Sequence, residues 1–261
     1  QALEETSYCY LVNEHWSAEA RYAAVNLNIV DWPLEPTEIS EKDKQHPNLA
    51  EVSPMPARRI LVTGANGQLG RALKRLLADA EFCTHADFDI TNPPERNWKQ
   101  YSAIINCAAY NDVNGAENDR AAAWAVNAEG PAKLARIAAE NQITLVHVSS
   151  DYIFDGANEV HSEEELPSPL SVYGASKAAG DTAAQTAPQH YVIRTSWVFG
   201  DGENFMSTMR RLAAKGVEPK VIHDQRGRPT FAEDLAKGIV HLLNSDADYG
   251  VYNLSNSGDT V

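Results

Sequence analysis

Tyr173 and Lys177 stand four residues apart in a stretch rich in alanine and free of proline up to Ala187. On a helix that spacing puts both side chains on one face, one turn apart, so an ammonium can sit beside a phenol. A cation there favours phenolate and draws a phenol, ordinarily with a pKa of about 10, toward proton transfer at neutral pH. The same pair also occurs on many solvated helices, so its chemistry depends on what else the chain brings to it. Gly64, Gly67 and Gly70 lie three residues apart between an apolar run and an amphipathic segment. Glycines in that setting allow a tight turn and a close backbone approach to a pyrophosphate, whose charge meets the amides of a helix start. Ser149-Ser150-Asp151-Tyr152 closes another apolar run. A hydroxyl at that place can donate to a carbonyl oxygen as charge builds on it, or can simply cap a turn.

These groups need elements to hold them. Residues 60–62, 103–107, 143–150, 191–197 and 250–254 read as strands, with a further extended piece at 220–223. Helices are predicted over Leu69, Leu73 and Leu76, over Trp124, Leu134 and Ile137, and at 173–187, 205–215 and 232–243. Strands alternating with helices imply right-handed crossovers, hence an α/β fold with a doubly wound parallel sheet. In such a sheet the carboxyl ends of the strands face the ligand crevice, which aims residues 149–152 at it. Asp87 and Asp89 lie about twenty residues past Gly70, where such folds commonly keep a carboxylate for the adenosine ribose. No arginine lies between Glu81 and Ile90 to declare a 2′-phosphate site. Read without further context, His147 is a satisfied core residue, Trp197 belongs to the core, and residues 224–230 form a surface turn.

The first part of the chain has a different texture. Residues 8–12 and 26–33 look extended, and proline-interrupted residues 34–58 resemble an arm or linker. The expected division is 1–50, a linker at 51–58, a dinucleotide-binding domain at 59–190, and final sheet strands with a partial substrate domain at 191–261.

A net charge of −14, without a compensating basic run, disfavours nucleic acid and anionic membrane surfaces as partners, while a small anion can still bind locally. No apolar run reaches the roughly 20 residues of a membrane span, and the start lacks the form of a secretory signal. Cys9, Cys83 and Cys107 are widely spaced, which suits reduced thiols in a cytoplasm and suggests no metal site.

Glycine turn, strand-end hydroxyl and Tyr/Lys helix follow the order of an extended short-chain dehydrogenase/reductase. More narrowly, residues 59–261 resemble the dTDP-4-dehydrorhamnose reductase family. The likeness is carried by Thr63-Gly-Ala-Asn-Gly-Gln-Leu-Gly70, Asn106-Cys-Ala-Ala-Tyr110, Ser149-Ser-Asp-Tyr-Ile-Phe-Asp-Gly156, Tyr173-Gly-Ala-Ser-Lys177, Arg194-Thr-Ser-Trp-Val198 and Asp224-Gln-x-Gly-x-Pro-Thr230. The resemblance implies that Tyr173 protonates the C4 oxygen of a 4-keto sugar, that Lys177 holds the nicotinamide ribose and lowers the tyrosine pKa, and that the Ser150 hydroxyl assists. It implies that Gly64, Asn66, Gly67, Gln68, Leu69, Asp89, Ile90, Ala109, Tyr110 and Asn111, with Tyr173 and Lys177, line NADPH or NADH. Ser150, Asp151, Tyr152 and Trp197 would contact the dTDP-sugar, and residues 224–230 would form a pocket wall. Ser150 and Asn111 stand where the family usually has threonine, and Asn114 where it has aspartate.

The family also includes a regulatory, non-enzymatic NADP-binding subunit, and other nucleotide-linked 4-keto-6-deoxy sugars are alternative substrates. A homodimer is compatible with the resemblance. Tyr8-Cys-Tyr, Asp31-Trp-Pro33 and Ser40-Glu-Lys-Asp43 resemble the end of a dTDP-4-dehydrorhamnose 3,5-epimerase, whose catalytic His and Asp belong to an upstream part not in this sequence. The expectation is therefore a piece of a fused epimerase/reductase, with a small, incomplete substrate domain and no epimerase activity.

Overall fold

The computed structural model describes residues 57–219, 225–245 and 247–258, with isolated positions at 41, 45, 47–48 and 260. The chain divides into Gln1–Pro56 and Ala57–Val261. The first unit lies almost wholly outside the described residues, and with it the expected strands at 8–12 and 26–33, the arm, and the epimerase-like motifs. The extended piece at 220–223 and Asp224 also lie outside them.

The described residues of the second unit build one six-stranded parallel sheet covered on both faces. Its strands are β1 (Arg59–Thr63), β2 (Glu81–Cys83), β3 (Tyr101–Asn106), β4 (Thr144–Val148), β5 (His190–Arg194) and β8 (Gly250–Asn253). They lie in the order β2-β1-β3-β4-β5-β8. From β1 the chain runs outward to β2 and returns to β3 on the other side, so the switch point lies between β1 and β3. That is where a doubly wound sheet opens a crevice at its carboxyl edge. The short β2 is absent from the sequence reading, because three residues are too few to show a period.

Alternation along the strands sorts the core into two layers. Leu61, Ile104, Leu145 and Val192 face the layer formed with α4 (Gly130–Asn141) and α5 (Val172–Ala184). Val62, Ile105, Val146 and Ile193 face α1 (Gln68–Leu76) and α7 (Ala232–Leu243). The predicted helix around Trp124 is a broken series: α2 (Val113–Asn118), α3 (Arg120–Trp124), a π turn at Ala125–Glu129, then α4. Helix α5 ends at Ala184, short of the predicted 187, because Pro188 disfavours helical backbone at Ala187. Away from the main sheet, β6 (Val198–Phe199) pairs with β7 (Thr230–Phe231), and α6 (Phe205–Ala214) packs without a buried residue. No helix among the described residues is long and apolar enough to cross a membrane.

Candidate active site

The crevice at the carboxyl edge is a cleft of about 840 Å³. One end is the turn between β1 and α1. Gly64 has a φ of +68°, and a Cβ on Gly70 would lie 2.5 Å from the Gly64 carbonyl oxygen, so strand and helix meet too closely for a side chain. Gly67 is the N-cap of α1 and offers no capping side chain, while the first turn carries no acid. Asn66, Gly67, Gln68 and Leu69 line the cleft. Uncapped amides at a helix start, with glycine backbone beside them, fit the pyrophosphate of a dinucleotide. Arg71, missed in the sequence reading, lines the same end. It donates to Asn66 O at 2.6 Å and to Asp201 O, which ties residues 200–204 to the glycine turn. Its place directly after the third glycine was the available signal.

The other end gathers the three groups expected to do chemistry. Ser171 caps α5, accepting from Gly174 N at 3.0 Å, and the helix then presents Tyr173 and Lys177 to the cleft. Tyr173 is 8 % exposed and Lys177 2 %, so both act away from bulk water. Ser150, at the end of the β4 segment, takes the capping role of the two left open for it. Its oxygen accepts from Tyr152 N at 3.2 Å, capping a 3-10 turn, and its hydroxyl donates to Asp151 Oδ1 at 3.1 Å while lining the cleft. Tyr152 meets Tyr173 edge to face at 5.5 Å.

The electrostatics reverse one expectation. Burial pushes the Tyr173 phenol up to about 12, against the Ser150 hydroxyl, which favours the phenolate; Asp151, Tyr152 and Asp181 add to the rise. Lys177 does not lower it here. Its ammonium donates to Val148 O at 2.7 Å, and burial lowers its own pKa to about 8 against the pull of Asp181. A protonated phenol is the form a proton donor requires. Asp151 is also raised by burial, with Ser196 and Ser150 opposing.

Ala109, Asn111, Asp151, Tyr152 and Trp197 line the cleft as well. Trp197 is not a core residue: it is 39 % exposed, holds a left-handed φ of 39°, and its indole lies against Gly227. Gly64, Asp89, Ile90 and Tyr110 do not contribute to the lining. Gly64 supports the turn from beneath. Asp89 Oδ1 accepts from Thr91 N and Oγ1, both at 2.8 Å, and Asp87 likewise accepts from Thr84 N at 2.9 Å. Ile90 is buried against Gly130. Tyr110 packs beside Tyr173, and its backbone is clamped by Asn127, which accepts from Tyr110 N at 2.8 Å and donates to Ser176 Oγ at 3.0 Å. Asn127 sits in the π turn, an irregularity no periodicity reveals.

Beneath the cleft a buried polar row crosses the strands. Thr63 Oγ1 donates to Asn106 Oδ1 at 2.7 Å, and Asn106 Nδ2 lies 3.1 Å from His147 Nδ1. Asp181 continues the row, 3.8 Å from His147 Nε2 and 3.3 Å from Arg194 Nε. His147 is core, as expected, and burial holds it neutral, but it is not fully satisfied: its Nε2 makes no hydrogen bond. Cys107 lines the cleft, with its thiol pushed up to about 12 by burial.

A family described as the RmlD substrate binding domain matches residues 58–261. The chain belongs to this family of NAD(P)H-dependent dTDP-sugar reductases. A dTDP-4-dehydrorhamnose reductase of Mycobacterium tuberculosis (strain CDC 1551 / Oshkosh) is 40% identical over 216 residues, covering 77% of this chain and 71% of that protein. A probable dTDP-4,6-dihydroxy-2-methyloxan-3-one 4-ketoreductase of Streptomyces antibioticus is 38% identical over 215 residues, covering 78% and 73%. Among solved structures, the dTDP-4-dehydrorhamnose reductase of Bacillus anthracis in complex with NADP aligns with a TM-score of 0.70 at 36% identity, over 79% of this chain and 77% of that one. The family match begins at residue 58 and does not reach the epimerase-like motifs.

Proposed function

We propose that the chain reduces the C4 ketone of dTDP-4-dehydro-β-L-rhamnose to dTDP-β-L-rhamnose with NADPH or NADH. The observation that carries this reading is the convergence of Tyr173, Lys177 and Ser150 on one end of a cleft whose other end is the uncapped glycine turn. When bound, the dinucleotide supplies the hydride that reaches C4. The chain supplies the proton: Tyr173 Oη gives it to the C4 oxygen, so hydride and proton together convert ketone to alcohol. Ser150 donates to that oxygen as negative charge grows on it. Lys177 holds positive charge at the ribose side, and Trp197 with Asp151 and Tyr152 forms the wall against which the sugar lies. The rim of β6, β7 and α6 serves as the substrate part of 191–261.

The 38% likeness to a 4-ketoreductase of another dTDP-sugar favours a second reading, reduction of a different dTDP-linked 4-keto-6-deoxy sugar at the same site. Retention of Tyr173, Lys177 and a hydroxyl at Ser150 speaks against a purely regulatory NADP-binding role. The reading of residues 1–50 as the tail of a fused epimerase rests on the three short motifs alone.

The test is incubation of the full-length protein with the 4-keto sugar while reduced nicotinamide is followed by absorbance and the product is identified. Absence of turnover with both cofactors sinks the proposal; turnover only with another 4-keto sugar selects the second reading. Tyr173→Phe is expected to bind cofactor while losing roughly 10²–10⁴-fold in kcat. Full activity in that variant overturns the proton-donor assignment.

A further inference from the structure

Tyr173, Lys177 and Asp181 recur every four residues and so share one face of α5. The first two meet the cleft. Asp181 lies a turn deeper, 0 % exposed, in the polar row beneath the site. A carboxylate is not buried there for packing, since alanine or leucine would fill the same space without loss of hydration. Its ion-pair partner is Arg194, whose Nε lies 3.3 Å from Asp181 Oδ2, while Lys177 stands one helical turn away on the same face. Burial raises the carboxyl's own pKa, and Ser149, Lys177 and Arg194 oppose that rise and favour the carboxylate. Arg194 cannot swing away, because its Nη1 donates to Glu163 O at 3.0 Å and its guanidinium rests on the Phe154 ring at 5.4 Å. Asp181 Oδ1 makes no hydrogen bond and lies 3.8 Å from His147 Nε2, with the Ser149 hydroxyl also acting on the carboxylate.

We propose that Asp181 is a positioning residue for the reductase site: its buried carboxylate is the counter-charge that keeps Lys177 an ammonium, and Arg194 anchors that carboxylate from behind. The inference rests on the reading of Tyr173 and Lys177 as the reacting pair. The charged and titratable groups around Lys177 agree with it. From the residue after β3 comes the Cys107 thiol, protonated by burial; from β4 comes His147, held neutral by burial and by Lys177 itself; from β5 comes Arg194, a like charge. The π turn contributes uncharged Asn127, and the 3-10 turn sets Asp151 and Tyr152 against Tyr173. Asp181 is the carboxylate among them that acts on Lys177, with the Cys107 thiol as a second group favouring its charge.

Asp181→Asn keeps the shape and removes the charge. The alkaline fall of kcat/KM is expected to move down by about one pH unit, an about fivefold loss near pH 8 that approaches about tenfold well above it, with little loss near pH 6.5. Equal loss at every pH, or an unmoved profile, overturns the proposal. A second readout needs no turnover: the Lys177 ammonium is titrated by NMR in lysine-labelled protein, assigned through Lys177→Arg. Its titration is expected to fall by about one unit in Asp181→Asn. An unchanged titration overturns the inference even in an active enzyme, while a shifted one in a protein without reductase activity would leave it standing and sink the function instead. If the single variant does not fold, Asp181→Asn with Arg194→Gln removes both members of the buried pair together, and its Lys177 titration is compared with that of Arg194→Gln alone. It must fall below that reference, and an equal value overturns the proposal.

Discussion

At Tyr173, burial and a neighbouring carboxylate hold the proton on the phenol, and one hydroxyl works against them. The net result, a pKa of about 12, leaves the residue a proton donor in waiting whose leaving proton is held too tightly. Ser150 is therefore more than a substrate contact. Ser150→Ala should lower kcat about 10- to 10²-fold, more than it weakens cofactor binding, because both the oxyanion donor and the phenolate's partner are lost. Steady-state kinetics alongside cofactor titration checks the split. Asp151 acts in the opposite sense, since its charge raises Tyr173. In Asp151→Asn the Tyr173 titration, followed by its ultraviolet difference spectrum, should move down from the wild-type value; an upward shift refutes this electrostatic account.

Helix α5 is the element that turns these residues into a site, and its glycines decide how closely it can approach. A Cβ on Gly174 would collide with the Tyr152 carbonyl oxygen, and one on Gly180 with that of Asn127. The helix is thereby seated against both the 3-10 turn capped by Ser150 and the π turn that clamps the Tyr110 backbone. Gly180→Ala should cost about 1–3 kcal/mol through this overpacking, despite alanine's better helix propensity. Thermal unfolding measures it, and an unchanged or raised Tm shows that the helix can shift at no cost. Gly174→Ala should in addition separate Ser150 from Tyr173 and depress kcat more than stability.

For the whole molecule, the same burial that prepares the site taxes the fold. Lys177 titrates near 8 in the folded protein and near about 10.4 in an unfolded chain. Between those values the unfolded chain binds more protons, so this group's contribution to stability rises with pH; below about pH 8 the penalty for its buried charge is full. Lys177→Met removes that dependence. The stability difference between Lys177→Met and wild type should thus change by about 3 kcal/mol in favour of the wild type from pH 7 to above about pH 10.4. Denaturant unfolding at several pH values tests it, and a pH-independent difference would falsify the assigned depression. Tyr173 has the opposite sign, because its folded pKa is raised: its favourable contribution is present below about 10 and is lost as pH climbs toward about 12.

The sequence by itself determined the doubly wound sheet, the glycine turn and the order of Ser150, Tyr173 and Lys177, because apolar periodicity and glycine placement are local properties read along the chain. It also located five of the six main-sheet strands, missing only the three-residue β2. Tertiary structure decided what periodicity cannot carry. Burial, which depends on distant neighbours, raised Tyr173 where the local spacing with Lys177 implied the reverse. The exposure of Trp197 followed from its left-handed backbone and the Gly227 loop, and the clamp at Asn127 from a π turn without a sequence period. Above all, the meeting of Asp181, His147 and Arg194 under the cleft joins one helix to two strands. Their charges acquire a role only when the low dielectric of the interior brings them together.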